Sequence, residues 1–101
     1  MKSDEDNLDV LRAIHKKPKA SQREMAKYLG FSLGKLNYCL KALKNKGFIK
    51  IQNFSKQPNR LKYIQYVLTP KGISERTNLT LNFMKRKFKE YDELKKELED
   101  N

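Results

Sequence analysis

Between Ser21 and Gly47 the chain is punctuated four times, and this leaves little freedom in how the segment can fold. Ser21-Gln22-Arg23-Glu24 has the form of a capping box. In such a box the serine hydroxyl and the glutamate carboxylate each satisfy an amide donor that a helix start leaves free. Met25, Ala26 and Leu29 then supply the inner side of a short helix. Gly30 stops it, because glycine takes the left-handed conformation at a helix C-terminus without steric cost. Phe31 anchors the turn, and Ser32 caps a third helix in which Leu36, Leu40 and Leu43 repeat at helical spacing. Gly47 ends that helix as Gly30 ends the one before it.

The flanking sequence completes the pattern. Leu8, Leu11 and Ile14 predict a first helix from about Asp4 to Lys16, closed by Pro18, which excludes helical geometry at the residue before it. Phe48-Ile49-Lys50-Ile51-Gln52 alternates apolar and polar residues, and Tyr63 to Leu68 is aromatic and β-branched, so both read as strands. Pro58-Asn59 marks a turn between them, giving a hairpin whose tip carries Lys56, Arg60 and Lys62 and no acid. Thr69-Pro70 restarts a helix with a cap and a first-turn proline. A stripe of Leu81, Met84, Phe88, Tyr91, Leu94 and Leu98 follows at helical steps. Thr77, Asn78, Thr80 and Asn82 are weak helix formers, so the pattern leaves room for a bend in that long helix as well as for a continuous one. The expected fold is mainly α with a small β-hairpin. A three-residue turn joining two short helices ahead of the hairpin makes this a winged helix-turn-helix, followed by a long C-terminal helix. Residues 1–69 form the winged domain and 70–101 the C-terminal helix.

Charge says what such a domain meets. Residues 1–11 hold one lysine and four acids, residues 12–71 hold fifteen lysines or arginines and the single acid Glu24, and residues 72–101 hold seven of each sign. The whole excess of +11 therefore sits in the central sixty residues. Packing that many like charges into one domain costs folding energy, which a polyanion offsets, with released counterions driving association. In a helix-turn-helix the later helix enters the major groove of double-stranded DNA. With its leucines inward, the third helix turns Ser32, Gly34, Lys35, Asn37, Tyr38 and Lys41 outward. Asn37 suits an adenine edge and Lys35 guanine O6 and N7. Ser32, Tyr38 and Lys41 suit phosphate or sugar contacts, with Tyr38 able instead to pack against the second helix. Gly34 removes a side chain where the backbone comes close to the duplex. Arg60, with Lys56 and Lys62, suits the adjacent minor groove. The same basic face would serve an RNA-binding winged helix, and the fold also serves protein–protein interaction subunits.

Other classes find no support in the residues. The longest apolar runs are far short of a bilayer span, and the acidic N-terminus lacks the apolar stretch of a signal peptide. Cys39 is the only cysteine and His15 the only histidine, so no disulfide, metal site or cofactor is expected. A reducing cytoplasm is the expected setting. Cys39 falls between Leu36 and Leu40 and reads as a small buried hydrophobe, although a redox role is conceivable. His15 reads as a helix-end residue favourable to the dipole. There is no phosphate loop and no nucleophile–base pair, so an enzyme is not expected.

From Ser21 through Gly72 the chain resembles the MarR family of bacterial transcription regulators. The match is carried by Ser21 to Glu24, Ala26, Leu29-Gly30, Leu43, Lys46-Gly47-Phe48-Ile49 and Leu68-Thr69-Pro70-Lys71-Gly72. The run Ser32 to Leu43 is most similar to short members associated with exopolysaccharide genes, and a weaker likeness continues through Phe83 to Lys87 and beyond. The resemblance implies a regulator with the third helix in the major groove and the wing at the minor groove. Two features depart from the family. Too few residues precede the first helix for its additional N-terminal dimerisation helix, beside which the family's effector pocket lies, and the acidic-then-arginine wing signature is present only as Asn59-Arg60. The expected partner besides DNA is a second copy of the chain, paired through the stripe from Leu81 to Leu98, because a long helix with one narrow apolar stripe commonly pairs with itself.

Overall fold

The computed structural model describes residues 3–53 and 64–100. Its elements are α1 (Ser3–Lys16), α2 (Gln22–Leu29), α3 (Leu33–Asn45), β1 (Ile49–Asn53), β2 (Ile64–Leu68) and α4 (Pro70–Glu99). The hairpin tip, with Pro58, Lys56, Arg60 and Lys62, lies outside the described residues. Each helix starts and stops where local chemistry requires. Ser21 Oγ accepts from the Glu24 amide at 3.1 Å while the Glu24 carboxylate accepts from the Ser21 amide at 3.0 Å. Gly30 closes α2 at φ 72°, and Phe31 N–H reaches back to Ala26 O at 2.9 Å. Ser32 Oγ caps α3 by accepting from the Lys35 amide. At the far end, Gly47 takes φ 80°.

The core forms where the three short helices meet the base of the wing. Leu11, Leu36, Leu40, Leu43 and Ile49 are at most 2% exposed, and Phe31, Leu68 and Leu79 pack around them. Truncating one of those leucines to alanine costs about 2–5 kcal/mol in a core this tight. The hairpin is antiparallel, with Ile49 opposite Leu68 and Lys50 opposite Val67. Ile49 therefore sits inside, whereas Ile51, on the same face, is already 38% exposed as the strands leave the domain.

Helix α4 runs without a break for 30 residues, through Thr77–Asn82. The threonines adapt to the helix, with Thr77 and Thr80 donating their hydroxyls to the carbonyls of Ile73 and Arg76, four residues back. The first half of α4 lies on the domain, with Gly72 buried and Leu79 against the core. Beyond it the helix runs clear, which stretches the molecule to 67 Å in its longest dimension.

The start of α4 is fastened to the end of α3. Thr69 Oγ1 accepts from the Gly72 amide and donates to Gly47 O at 2.6 Å. Thr69 N–H bonds to Phe48 O at 3.0 Å, and Lys71 Nζ reaches Lys46 O at 3.1 Å. Gly72 passes so close that a Cβ there would stand 1.8 Å from Phe48 O. That contact is backbone and cannot swing aside. Gly72→Ala is therefore expected to lower the unfolding free energy by about 1–3 kcal/mol in denaturant titration. Gly34→Ala, which meets nothing within 4 Å, should raise it by up to about 1 kcal/mol.

Candidate nucleic-acid interface

Three residues, Gly30 to Ser32, separate α2 from α3, and α3 presents one face to the core and the other to solvent. Leu36, Cys39, Leu40 and Leu43 are buried. Gly34, Tyr38, Lys41 and Asn45, at steps of four, three and four, form the line on the opposite side, and all four are exposed. Ser32, Lys35 and Asn37 flank that line and are exposed too. None of the outward residues read from the sequence is covered by another part of the chain.

Tyr38 does not pack on α2. It is 69% exposed, because its position lies directly across the helix from Leu36 and Leu40. Asn45 was not singled out from the sequence, although its spacing from Lys41 and Tyr38 places it on the same line. Lys56, Arg60 and Lys62 lie outside the described residues, so the wing contributes only its base here, with Lys50 exposed on β1.

Lys35 is the residue whose surroundings differ most from expectation. Its ammonium lies 3.3 Å from the Asp6 carboxylate on α1 and 4.2 Å from the centre of the Phe31 ring. The free protein thus holds this lysine against α1 at the edge of the outward face. Asp6 stands 29 positions upstream, in the acidic N-terminal segment, and no local spacing could have paired the two. Cys39 is buried beneath the same region, and burial pushes its thiol above the ordinary range, with Asp6 adding to the effect and Lys35 opposing it.

The geometry is a helix-turn-helix with an antiparallel wing at its side. Residues 4–50 match the family model described as winged helix-turn-helix DNA-binding. A search of curated protein sequences found no match. Among solved structures, Staphylococcus aureus MarR in complex with salicylate and kanamycin superposes with a TM-score of 0.67 and 20% identity, covering 87% of this chain and 57% of that one. The chain has the winged helix-turn-helix fold of MarR-type regulators. Streptococcus pneumoniae FabT in complex with DNA shares the MarR-type fold at a TM-score of 0.61 and 22% identity, over 87% of this chain and 59% of that one. A transcriptional regulator homologue from Pyrococcus horikoshii OT3 matches at 0.64 and 18% identity, over 87% and 84%. This chain spans less than two thirds of the length of the MarR and FabT chains.

Electrostatics around α3 are set by α1 as much as by α3 itself. Asp9, next to the Asp6–Lys35 pair, has its carboxyl raised above the usual value. Burial is the main cause, aided by Glu5 and Asp6 and opposed by Arg12 and Lys35. Folding therefore favours the protonated form, and stability falls as pH rises from the unfolded carboxylate value through the folded one. Asp9→Asn is expected to be more stable than the parent at pH 7. That advantage should shrink toward a constant below about pH 4, when both states of the parent are protonated. Urea unfolding at pH 3, 5 and 7 checks this, and a difference that does not vary with pH would refute it.

Proposed function

We propose that this chain is a transcription regulator that binds double-stranded DNA as a homodimer, with α3 in the major groove and the wing at the minor groove. The observation that carries the reading is the uncovered line of Gly34, Tyr38 and Lys41 on α3. It lies in a segment with fifteen cations and one acid. In support, FabT and S. aureus MepR, whose folds this chain shares, were both solved in complex with DNA.

The residues divide into two tasks. Asn37 and Lys35 read base edges, and Lys35 must exchange Asp6 for the duplex to do so. Ser32, Tyr38 and Lys41 hold phosphate and sugar, with Lys56, Arg60 and Lys62 extending that grip from the wing. Residues 1–69 serve as the reading domain and 70–101 as the pairing helix, whose contacts run from Leu81 to Leu98. A two-fold dimer places its two reading helices on half-sites about one DNA turn apart, or a multiple of that. The genes controlled include exopolysaccharide genes, on the resemblance of the Ser32 to Leu43 run.

Titration of a selected duplex of about 20–30 base pairs and its RNA equivalent, at stepped salt, tests the reading. DNA preference with a steep salt slope is the expected result. Equal or stronger RNA binding, or binding to neither, overturns it. Asn37→Ala should cost about 1–3 kcal/mol against the best site and little elsewhere. Lys41→Ala should weaken all duplexes alike and reduce the salt slope by about one. Identical behaviour of the two variants would remove the division between readers and positioners.

A further inference from the structure

From Leu81 onward α4 carries an apolar stripe that its own chain leaves largely exposed. Leu81, Met84, Phe88, Tyr91, Leu94 and Leu98 are 50–78% exposed. Leu79, which packs inward, lies across the helix from Leu81 and Phe88, and the later stripe residues run past the domain, so the stripe can be covered without disturbing the core. The charges beside it are sorted along the axis. Lys85 to Lys89 holds four cations and no acid, whereas Glu90 to Asp100 holds six acids and two lysines.

We infer that a second copy of this chain covers the stripe in antiparallel direction, about a two-fold axis passing between Lys89 and Glu90. The inference rests on the dimer proposed above and adds its direction and register. In this register Leu81 meets Leu98 of the second copy, Phe88 meets Tyr91, and Met84 meets the alkyl stem of Lys95. Lys85 falls at the flank beside Asp92 of the second copy, and the symmetric pair repeats the contact. Each basic run lies along the other copy's acidic run. A parallel pair would set Lys95 against its own counterpart within the seam and the two basic runs side by side, a like-charge arrangement that interfaces select against.

A separate feature agrees. Beside Leu81, between α1 and α4, lies a cleft of about 320 Å³ with Arg12, His15, Lys16 and Arg76 on its walls. Where Leu81 meets Leu98, the following residues Glu99 and Asp100 of the second copy arrive at that basic cleft. Only the antiparallel direction brings them there. Lys87 is already engaged within its own helix, 3.4 Å from Glu90, and the register asks nothing further of it.

Sedimentation of the full chain at low salt tests the proposal. The parent is expected to be a dimer. Lys85→Glu and Asp92→Lys should each weaken it about tenfold, since each turns two symmetric attractions into repulsions. The chain carrying both changes should return to within about twofold of the parent. A monomeric parent would overturn the dimer itself. A dimeric parent whose double variant stays as weak as Asp92→Lys would overturn the antiparallel register alone, because in a parallel pair Asp92 faces Lys87 and position 85 offers no compensation. No change in any variant would overturn it as well. Mixing Leu81→Cys protein with Leu98→Cys protein under mild oxidation gives a second reading. Disulfide-linked heterodimers are expected, and efficient linking of either protein alone would contradict the register.

Discussion

Phe48 is the joint on which the molecule depends. Its amide bonds to Leu43 O at the end of α3, and its carbonyl accepts from Thr69 at the start of α4. Gly72 lies directly against that carbonyl. These are backbone contacts, so they offer no rotamers through which strain could dissipate. Lys71 closes the joint from outside, bonding Lys46 O and lying 5.3 Å from the centre of the Phe48 ring. The direction of α3 relative to α4 is thereby set by main chain. Any partner that grips α4 also positions the outward face of α3.

What could be read from the chain in advance was whatever a few neighbouring residues decide. Ser21 with Glu24, Gly30, Ser32, Gly47 and Thr69-Pro70 each act within one turn of backbone, and each element boundary falls beside them. The face of α3 was legible for the same reason, since the period of Leu36, Leu40 and Leu43 dictates what points away. The misses come from longer reach or from alternatives that propensity does not weigh. Gly72 reads as one more helical residue until Phe48 O is placed against it, and Lys35 reads as free until Asp6 arrives from α1. The weak formers Thr77 and Thr80 left the helix continuous, because their hydroxyls found carbonyls within it.

The placement of acids follows from their scarcity. Residues 12–71 contain only Glu24, and the capping box consumes it. Its carboxyl is held below the ordinary range, chiefly by the Ser21 amide and hydroxyl, so it is committed to that role. Any carboxylate that moderates the basic face of α3 must come from outside that stretch. The N-terminal acids of α1 do this, at a position where they also face one another. The Asp9 carboxyl is raised chiefly by burial, with Glu5 and Asp6 adding to the effect. Within one small domain the same cluster thus steadies Lys35 and strains itself, a compromise that a chain this rich in cations has few ways to avoid.

The far half of α4 poses a different problem, because its helical state has little support from its own domain. An isolated helix of fewer than about 15 residues is marginal in water, and most helices in proteins are held by packing of an apolar face. Beyond Phe83 the residues of α4 are exposed all round, and among the described residues one internal ion pair, Lys87 with Glu90, is formed there. Such a pair contributes only about 0.2–0.5 kcal/mol. The missing packing has to come from whatever covers Leu81 to Leu98. Covering that stripe and completing the helix are therefore one equilibrium, and stability in this half of the chain must depend on the partner that covers it. The part of the chain with its own buried leucines is exempt from that dependence, and the joint at Phe48 marks where the two regimes meet.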